Sequence, residues 1–248
     1  MKDTIKKLLI ISLIFGLSAC GSKHEDDDKW LVATSADNPP YEYAERGEIK
    51  GFDIDLIKEI AKRCGKQVIF KNTDFQGLLA ALASNNVDLV VAGMTPTEDR
   101  RNKVDFSIPY IRTKIAFLVK KDDNILSIED LRGKKTGSQL GTIWANIAYE
   151  LAQQYHFKNK TLSNNLMLVE ELKLGRVDAV MMEQVQVEKL INKSDMFSSF
   201  EIDSISEFAI AMPKGSKLKQ QIDSTIIEME ADGTMKILQE KWGLVSAY

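Results

Sequence analysis

The sequence contains few of the residues from which metal sites and disulfides are built. Its 248 residues include two cysteines, two histidines and five prolines. Two thiols and two imidazoles leave little material for a zinc site made from those ligands. The few prolines and the lack of a low-complexity tract argue against a large disordered region.

The chain has no large excess of charge of either sign. It has 33 Lys and Arg against 36 Asp and Glu, which gives a net charge of −3 and a pI near 5.6. This excludes the basic surface that nucleic-acid-binding domains present. The charge therefore predicts no nucleic-acid partner, and the few cysteines and histidines predict no metal site. Because the sequence contains no cofactor motif, we also expect no cofactor.

No apolar run is long enough to span a membrane. The longest, Leu8 to Ala19, has 12 residues, whereas a membrane-spanning helix needs about 20. It follows three lysines and precedes Cys20, which is the pattern of a secretory signal. The ending Leu-Ser-Ala-Cys resembles the lipobox of bacterial lipoproteins, in which the chain is cut before the cysteine and the thiol is lipidated; an ordinary signal that contains a cysteine is the alternative. We predict a lipoprotein signal peptide at 1–19, lipidation of Cys20 and a flexible tether at 20–29.

Strands and helices are predicted to alternate along the first half of the mature chain. Apolar runs predict strands at 30–34, 67–70 and 87–92, and amphipathic patterns predict helices at 53–64 and 74–84. Asp53 is the expected cap of the first helix, and Cys64 at its end is expected to be a small buried hydrophobe. This alternation is typical of a parallel sheet with right-handed crossovers.

The same alternation recurs in the second half, before a mostly helical tail. A short sequence echo, Asn86 to Val90 against Arg176 to Val180, lies between a helix and a buried strand both times. We therefore expect two similar α/β lobes. The predicted elements are helices at 127–131, 142–155 and 166–174, strands at 135–138 and 177–182, and helical structure over 218–242.

Residues at the carboxyl ends of these strands could bind a carboxylate, because open parallel sheets bind ligands there. Arg100 supplies a bidentate cation. The backbone N–H groups at Thr95 and Thr142, the second at a helix start, supply further donors. Taken singly, Arg100 also fits a surface salt bridge, and Thr142 an ordinary helix cap.

The same strand ends hold candidates for an ammonium group. Glu183 and the Gly93 carbonyl are acceptors, and Phe75 offers an apolar wall. Arg100 and Glu183, one on each lobe, would bind opposite ends of an amino acid, so ligand binding would favour closure of the lobes. Glu183 as a solvated loop acid and Phe75 as a core residue are the alternatives.

Short motifs in a fixed order run from about Trp30 to Gly243. Together they resemble the bacterial extracellular amino-acid-binding proteins, solute-binding family 3. The motifs are Asn38–Glu42 with Gly51–Leu56, Ala92–Arg100 with Val104–Tyr110, Leu131–Lys134, Gly141-Thr142, Gly233-Thr234 and Lys241–Gly243.

The resemblance implies a two-lobed, type II periplasmic-binding-protein fold. It is an α/β fold in which each lobe is a mostly parallel sheet flanked by helices, and two hinge strands join the lobes. Lobe 1 would comprise 30–117 and 212–248, and lobe 2 would comprise 118–211. The crossings would lie near 116–120 and 208–212.

The resemblance also implies a ligand site, matched residue by residue. Arg100 matches the arginine that binds the ligand carboxylate, and Phe75 matches the aromatic that packs on the ligand side chain. Thr142 and Ile143 match the carboxylate contacts of the second lobe. The implied ligand-binding residues are Ser35, Asn38, Phe75, Gly93, Met94, Thr95, Arg100, Gln139, Thr142, Ile143 and Glu183.

Departures from the family pattern bear on the ligand. Glu183 stands where Asp is commoner, and Ser35 stands where members that bind basic ligands often carry an acid. Asn38 replaces a common aromatic, and Gln139 also makes the pocket more polar. We therefore expect a polar, uncharged amino acid such as glutamine rather than a basic one.

The function predicted from the resemblance is that of a lipid-anchored protein outside the cytoplasm. It would be a monomer and not an enzyme, and it would deliver a free L-amino acid to the permease subunits of an ABC importer. One alternative is a dehydratase on the same fold that acts on a cyclic carboxylic acid, with Glu183 as general acid. Another is a ligand-sensing module, although such relatives usually carry further domains and this chain ends at Tyr248. Turnover of a candidate substrate would support the dehydratase.

Overall fold

The computed structural model describes residues 28–244. The predicted signal peptide, Cys20 and the tether as far as residue 27 lie outside the described residues. Within the described range, every helix is too short or too polar to cross a bilayer.

Thirteen strands and eight α-helices make up the described chain. The strands are β1 (Lys29–Thr34), β2 (Asp37–Asn38), β3 (Glu42–Glu45), β4 (Glu48–Lys50), β5 (Gln67–Asn72), β6 (Leu89–Val90), β7 (Val104–Phe106), β8 (Ile111–Lys120), β9 (Lys135–Gln139), β10 (Lys158–Leu162), β11 (Ala179–Glu183), β12 (Phe197–Phe208) and β13 (Ala211–Pro213). The helices are α1 (Phe52–Arg63), α2 (Leu78–Ala83), α3 (Glu98–Arg101), α4 (Ile143–Tyr155), α5 (Asn165–Lys173), α6 (Gln184–Lys193), α7 (Leu218–Ala231) and α8 (Thr234–Trp242).

Two five-stranded sheets form the two lobes. The first has the order β5-β1-β6-β13-β7, and the second has the order β10-β9-β11-β8-β12. In the first, β5, β1 and β6 are parallel and β13 is antiparallel to both of its neighbours. In the second, β10, β9 and β11 are parallel and β8 is antiparallel to β11 and β12. The fold is therefore two-lobed α/β, and a small sheet of β2, β3 and β4 adjoins the first lobe.

The chain changes sheet at two places. It leaves the first sheet between β7 and β8 and returns to it between β12 and β13. The predicted first crossing, near 116–120, falls inside β8, which pairs along its whole length with β12 in the second sheet. The chain passes from the first sheet to the second earlier than predicted, between Phe106 and Ile111. The family resemblance implied this crossing, but residues 116–119 are buried core of the second lobe, because β8 lies between β11 and β12.

Both faces of the central strands are buried, as their nearly continuous apolar sequences predict. In β1, neighbouring Val32 and Ala33 are both fully buried but belong to different core clusters. In β8, neighbouring Phe117 and Leu118 divide in the same way. With their faces covered, these sheets expose their strand ends, which is where the candidate site lies.

Two segments predicted to be helices contain a 3-10 turn. One of them continues as an α-helix, and the other is the turn alone. The segment predicted at 74–84 is a 3-10 turn at Phe75–Gly77 followed by α2, and the segment predicted at 127–131 is a 3-10 turn at Glu129–Leu131. Glycine at the junction of the first segment explains its break, since glycine disfavours a continuous helix.

Asp53 has a different role from the helix cap predicted for it. It lies in the first turn of α1, fully buried, after Gly51 at the cap position. Its Oδ2 accepts hydrogen bonds from the Gly93 N–H and the Tyr110 hydroxyl, both at 2.8 Å. Asp53 therefore fixes the strand end that carries Gly93.

Cys64 follows the last residue of α1 and is half-buried rather than fully buried. It packs against the core, and its Sγ lies 3.7 Å from the Thr225 hydroxyl. Burial raises the pKa of its thiol, so it is less reactive than an exposed cysteine.

Candidate ligand-binding site

A cavity lies between the two lobes, at the ends of the strands. Of the roughly 270 Å³ between its walls, which includes open solvent at the mouth, only about 10 Å³ can hold the centre of a water molecule. Residues from both sheets close it, so opening the lobes would expose it. The lining residues are Asn38, Glu42, Phe75, Ala92, Gly93, Thr95, Arg100, Gln139, Thr142, Ile143 and Trp144.

The structure brings most of the predicted site residues together in this cavity, but three lie elsewhere. Ser35 lines a neighbouring polar pocket. Met94 is buried in the apolar core of the first lobe. Glu183 is buried beside α6 and is absent from the cavity wall.

Arg100 lies in α3, which begins after Thr97, whose hydroxyl accepts a hydrogen bond from the Arg100 N–H. Its guanidinium donates to the Thr95 carbonyl at 2.6 Å and, across the cleft, to the Gly141 carbonyl at 2.8 Å. Its central carbon lies 5.5 Å from the centre of the Phe75 ring. Burial lowers its pKa to about 10, so it stays charged at neutral pH. A guanidinium has five N–H donors, so donors remain for a ligand carboxylate.

Thr142 brings the positive end of a helix to the same part of the cavity. Its hydroxyl caps α4, accepting from the Ala145 N–H at 3.1 Å and donating to the Gln139 carbonyl at 2.7 Å. The hydroxyl is therefore used within the protein, as the helix-cap alternative expected. The unpaired N–H groups and the dipole of the first turn still favour an anion there.

Glu42 forms a buried carboxyl pair with Asp53 at the cavity wall. It is 1 % exposed, and its Oε1 accepts from the Asn38 side-chain amide at 3.2 Å. Burial raises the pKa of Glu42 well above its usual range, and burial raises that of Asp53 to about 6. The two carboxyl groups lie close enough for each to shift the pKa of the other, and within the described chain Glu42 Oε2 and Asp53 Oδ1 have no hydrogen-bond partner. Two negative charges buried so close together are unfavourable, so we expect the pair to hold one proton and one negative charge at neutral pH.

Sequence reasoning missed Glu42 and Trp144 as cavity residues. Glu42 belongs to the motif that begins at Asn38, and Trp144 directly follows Ile143. Membership of a motif with an assigned residue was the available signal for Glu42, and adjacency to an assigned residue was the signal for Trp144. Within the described chain, the Trp144 indole N–H and the Asn38 Oδ1 are buried without a partner. The cavity wall therefore holds one free neutral donor and one free neutral acceptor, and the Glu42 Oε2 is a third buried atom without a partner.

Glu183 departs from the role of ammonium partner that the sequence suggested. It is the last residue of β11 and the cap of α6, and it accepts from the Val185 and Gln186 N–H groups at 3.2 and 3.1 Å. It also accepts a hydrogen bond from the Thr113 hydroxyl. Burial raises its pKa to about 7. Its oxygens are turned to the start of α6, a helix that the sequence analysis did not predict.

A second pocket, of about 420 Å³, adjoins the cavity. Asp37 separates the two, since it lines the second pocket and bonds to Gln139, which lines the first. The residues of the second pocket are Ser35, Ala36, Asp37, Asn72, Thr73, Asp74 and Asn164.

Negative charge dominates the buried part of this region. Four carboxyl groups of the described chain are almost completely buried, with exposures of 0–4 %. No lysine or arginine among the described residues is buried to that degree. Burial raises the pKa of each one. The four are Asp37, Glu42, Asp53 and Glu183.

Comparison with known proteins agrees with this arrangement. Residues 31–245 match the bacterial extracellular solute-binding proteins, family 3. The arginine-binding extracellular protein ArtP of Bacillus subtilis (strain 168) is 38% identical over 250 residues, covering 98% of each chain.

Solved structures show the same similarity. An ancestral arginine-binding protein bound to arginine superimposes with a TM-score of 0.82 at 40% identity, covering 87% of this chain and 98% of that one. A second such structure, bound to glutamine, has a TM-score of 0.80 at 38% identity, covering 88% and 98%.

Proposed function

Because the chain belongs to family 3 of the bacterial extracellular solute-binding proteins, we propose that it binds a cationic L-amino acid, arginine being the best candidate. Its relatives are amino-acid-binding proteins. The chain is the amino-acid-binding component of an ABC importer. The ligand, the residues that hold it and the membrane anchor are the proposed parts.

The observation that carries the proposal is the polarity of the cavity. Arg100 and the start of α4 supply positive charge and free N–H donors for a carboxylate. The Glu42–Asp53 pair supplies negative charge at the wall. An amino acid in its zwitterionic form matches both ends.

The surplus of buried acid favours a ligand that is itself cationic. Four carboxyl groups are buried in this region, although among the described residues only Glu42 lines the cavity, and Arg100 is the basic residue that lines it. A buried charge is stabilised by an opposite charge nearby. Arginine adds a guanidinium to its zwitterion, whereas glutamine adds no net charge. Arginine is also the ligand of the ArtP relative and of one matched structure, by their names.

Glutamine, which the sequence analysis expected ahead of a basic amino acid, is the second candidate. The side-chain amides of Asn38 and Gln139 both line the cavity and are suited to an amide ligand. A matched ancestral protein was solved with glutamine. The two ligands differ in charge, so a single competition experiment separates them.

A thermal-shift screen of the mature protein against the twenty L-amino acids at 1 mM tests the proposal. A ligand with a Kd of about 1 μM adds roughly 4 kcal/mol, which raises Tm by about 8–16 °C. We expect arginine to give the largest shift and Arg100→Ala to abolish it. Arg101→Ala is the matched control, because Arg101 is exposed and lies outside the cavity. A lack of shift with any amino acid would refute the proposal.

The proposed anchor is the lipid on Cys20, with residues 20–29 as tether and 1–19 removed. Its support is the lipobox-like sequence alone. We expect the intact protein to fractionate with membranes and Cys20→Ser to be released in soluble form. Equal membrane association of both forms would contradict a lipid on this cysteine.

A further inference from the structure

Asp37 joins the two lobes from a position outside the ligand cavity. It lies in β2, beside the first sheet, and is 4 % exposed. Its Oδ2 accepts from the Gln139 side-chain amide at 2.9 Å and from the Asn165 backbone N–H at 2.9 Å. Gln139 ends β9 and Asn165 begins α5, so both donors belong to the second lobe. One carboxylate thus connects to two elements across the cleft.

Asp37 differs in this respect from two other polar contacts that span the cleft, the Arg100–Gly141 and Thr95–Ser206 hydrogen bonds. Those two belong to the ligand site itself, since Arg100, Thr95 and Thr142, which follows Gly141, line the cavity. Asp37 does not line the cavity, and the Gln139 side chain stands between them. Its contacts can therefore persist whichever ligand is bound.

The two donors depend on Asp37 to different degrees when the lobes are together. The Asn165 N–H is in the first turn of α5, where no intrahelical acceptor exists. A buried N–H without an acceptor is unfavourable, so its partner matters to the closed arrangement. The Gln139 amide has a second acceptor, the Ser163 carbonyl at 3.2 Å.

We propose that Asp37 is a latch that stabilises the closed arrangement of the lobes through its acceptor oxygens and so sets the affinity for every ligand equally. The lobes can part only when both hydrogen bonds break. Asp37 is thus a positioning residue, since it acts through Gln139 and α5. The ligand part of this inference rests on the proposed function; the closure part does not.

Two substitutions of Asp37 separate its acceptor role from its charge. Asp37→Ala removes both acceptors. Asp37→Asn removes the charge but keeps an oxygen for the Asn165 N–H, and the Gln139 amide can turn over to pair with the new amide. Asp74→Ala is the matched control, because Asp74 lines the same pocket, is exposed and makes no side-chain hydrogen bond to the second lobe among the described residues.

The first measurements use ligand-free protein. We expect Asp37→Ala to increase the radius of gyration by small-angle X-ray scattering and to speed hydrogen exchange at the Asn165 amide. Asp37→Asn and Asp74→Ala should resemble the unaltered protein. Unchanged Asn165 exchange in Asp37→Ala would overturn the latch. Circular dichroism establishes that each variant is folded, and protection of Asn165 in the unaltered protein tests the contact without any substitution.

The second measurements use the amino acids that the unaltered protein binds. We expect Asp37→Ala to raise Kd about tenfold for each, the loss of about one hydrogen bond, through faster dissociation. Equal weakening by Asp37→Asn would show that charge, not the acceptor, matters and would overturn the proposal. Weakening of cationic ligands alone would place Asp37 in the ligand site and overturn it too. If the unaltered protein binds no amino acid, the proposed function fails, and the ligand-free measurements still decide the latch.

Discussion

At the scale of single residues, a shared proton is the most consequential feature of the cavity wall. Glu42 and Asp53 are buried close together although both are acids, and the Asp53 carboxylate already accepts hydrogen bonds from Gly93 and Tyr110. Glu42 is therefore the member that carries the proton. A neutral side chain that can donate at the same place would serve equally well.

The first prediction follows from this proton. Glu42→Gln should keep Tm and ligand affinity nearly unchanged at pH 7, because its amide donates to Asp53 as the carboxyl proton does. Asp53→Asn should weaken arginine binding at least tenfold, because it removes the charge of the pair. Calorimetric titration of both variants checks this. A larger loss in Glu42→Gln than in Asp53→Asn would mean that Glu42, rather than Asp53, carries the charge, and similar losses would contradict a proton held on Glu42.

Residue-scale prediction from sequence worked best where a contact depends on residue type and local motif. Arg100, Phe75 and Thr142 were expected at the site and line the cavity. Glu183 was expected to face the ligand, but it caps α6. The Glu183 side chain points to the start of α6, and the residues of strand β11 did not predict that a helix follows.

At the scale of elements, the turn between β9 and α4 brings the second lobe close to the first. Gly141 has φ of +83°, and a Cβ there would lie 3.1 Å from both the Cα and the Cβ of Gln76. Glycine is needed for the left-handed backbone and for the narrow gap. Gly133 has φ of +74° with open space around it.

The second prediction compares these two glycines. Both Gly133→Ala and Gly141→Ala should lose about 1 kcal/mol of stability from backbone strain. Gly141→Ala alone should also weaken ligand binding by at least tenfold, because the added methyl group prevents full approach of the lobes. Thermal unfolding and calorimetric titration measure the two effects. Equal affinities would indicate that the gap can widen without cost.

Element prediction from sequence failed where the pattern was ambiguous or polar. The start of α6 reads Gln-Val-Gln-Val, an alternation typical of a strand, yet it is helical because Glu183 caps it. The long strand β12 is rich in Ser, Asp and Glu and gave no apolar signal. Its pairing with β8 comes from tertiary contact, which local sequence does not encode.

At the scale of the whole molecule, the buried carboxyl groups make stability depend on pH. Burial raises the pKa of Asp37 and Asp53 to about 6 and that of Glu183 to about 7. The folded state therefore holds more protons than the unfolded state between about pH 4 and pH 7, and stability falls as pH rises through that range. Exposed acids whose pKa is lowered, such as Asp232 with a pKa of about 2, change the pH dependence of stability only below this range.

The third prediction concerns this pH range. Ligand-free protein should lose stability from pH 5 to pH 8, by about 1.4 kcal/mol for each carboxyl group whose pKa is about 6 in the folded state, because about one pKa unit of its shift lies above pH 5. Each such group corresponds to about 3–6 °C in Tm. Arginine should stabilise more at pH 8 than at pH 5, because it neutralises the carboxylates formed. Scanning calorimetry at several pH values measures both trends. A flat Tm across this range would contradict the buried charges.

The position of β13 governs the order in which the molecule can be completed during synthesis. All five strands of the second sheet come from one unbroken stretch, residues 111–208, whereas β13 lies between β6 and β7 in the first sheet. A chain that emerges from its amino terminus presents β6 and β7 long before the strand that joins them exists. The second lobe can therefore assemble while the first is unfinished, and the first lobe is completed only as the carboxyl-terminal part of the chain is released.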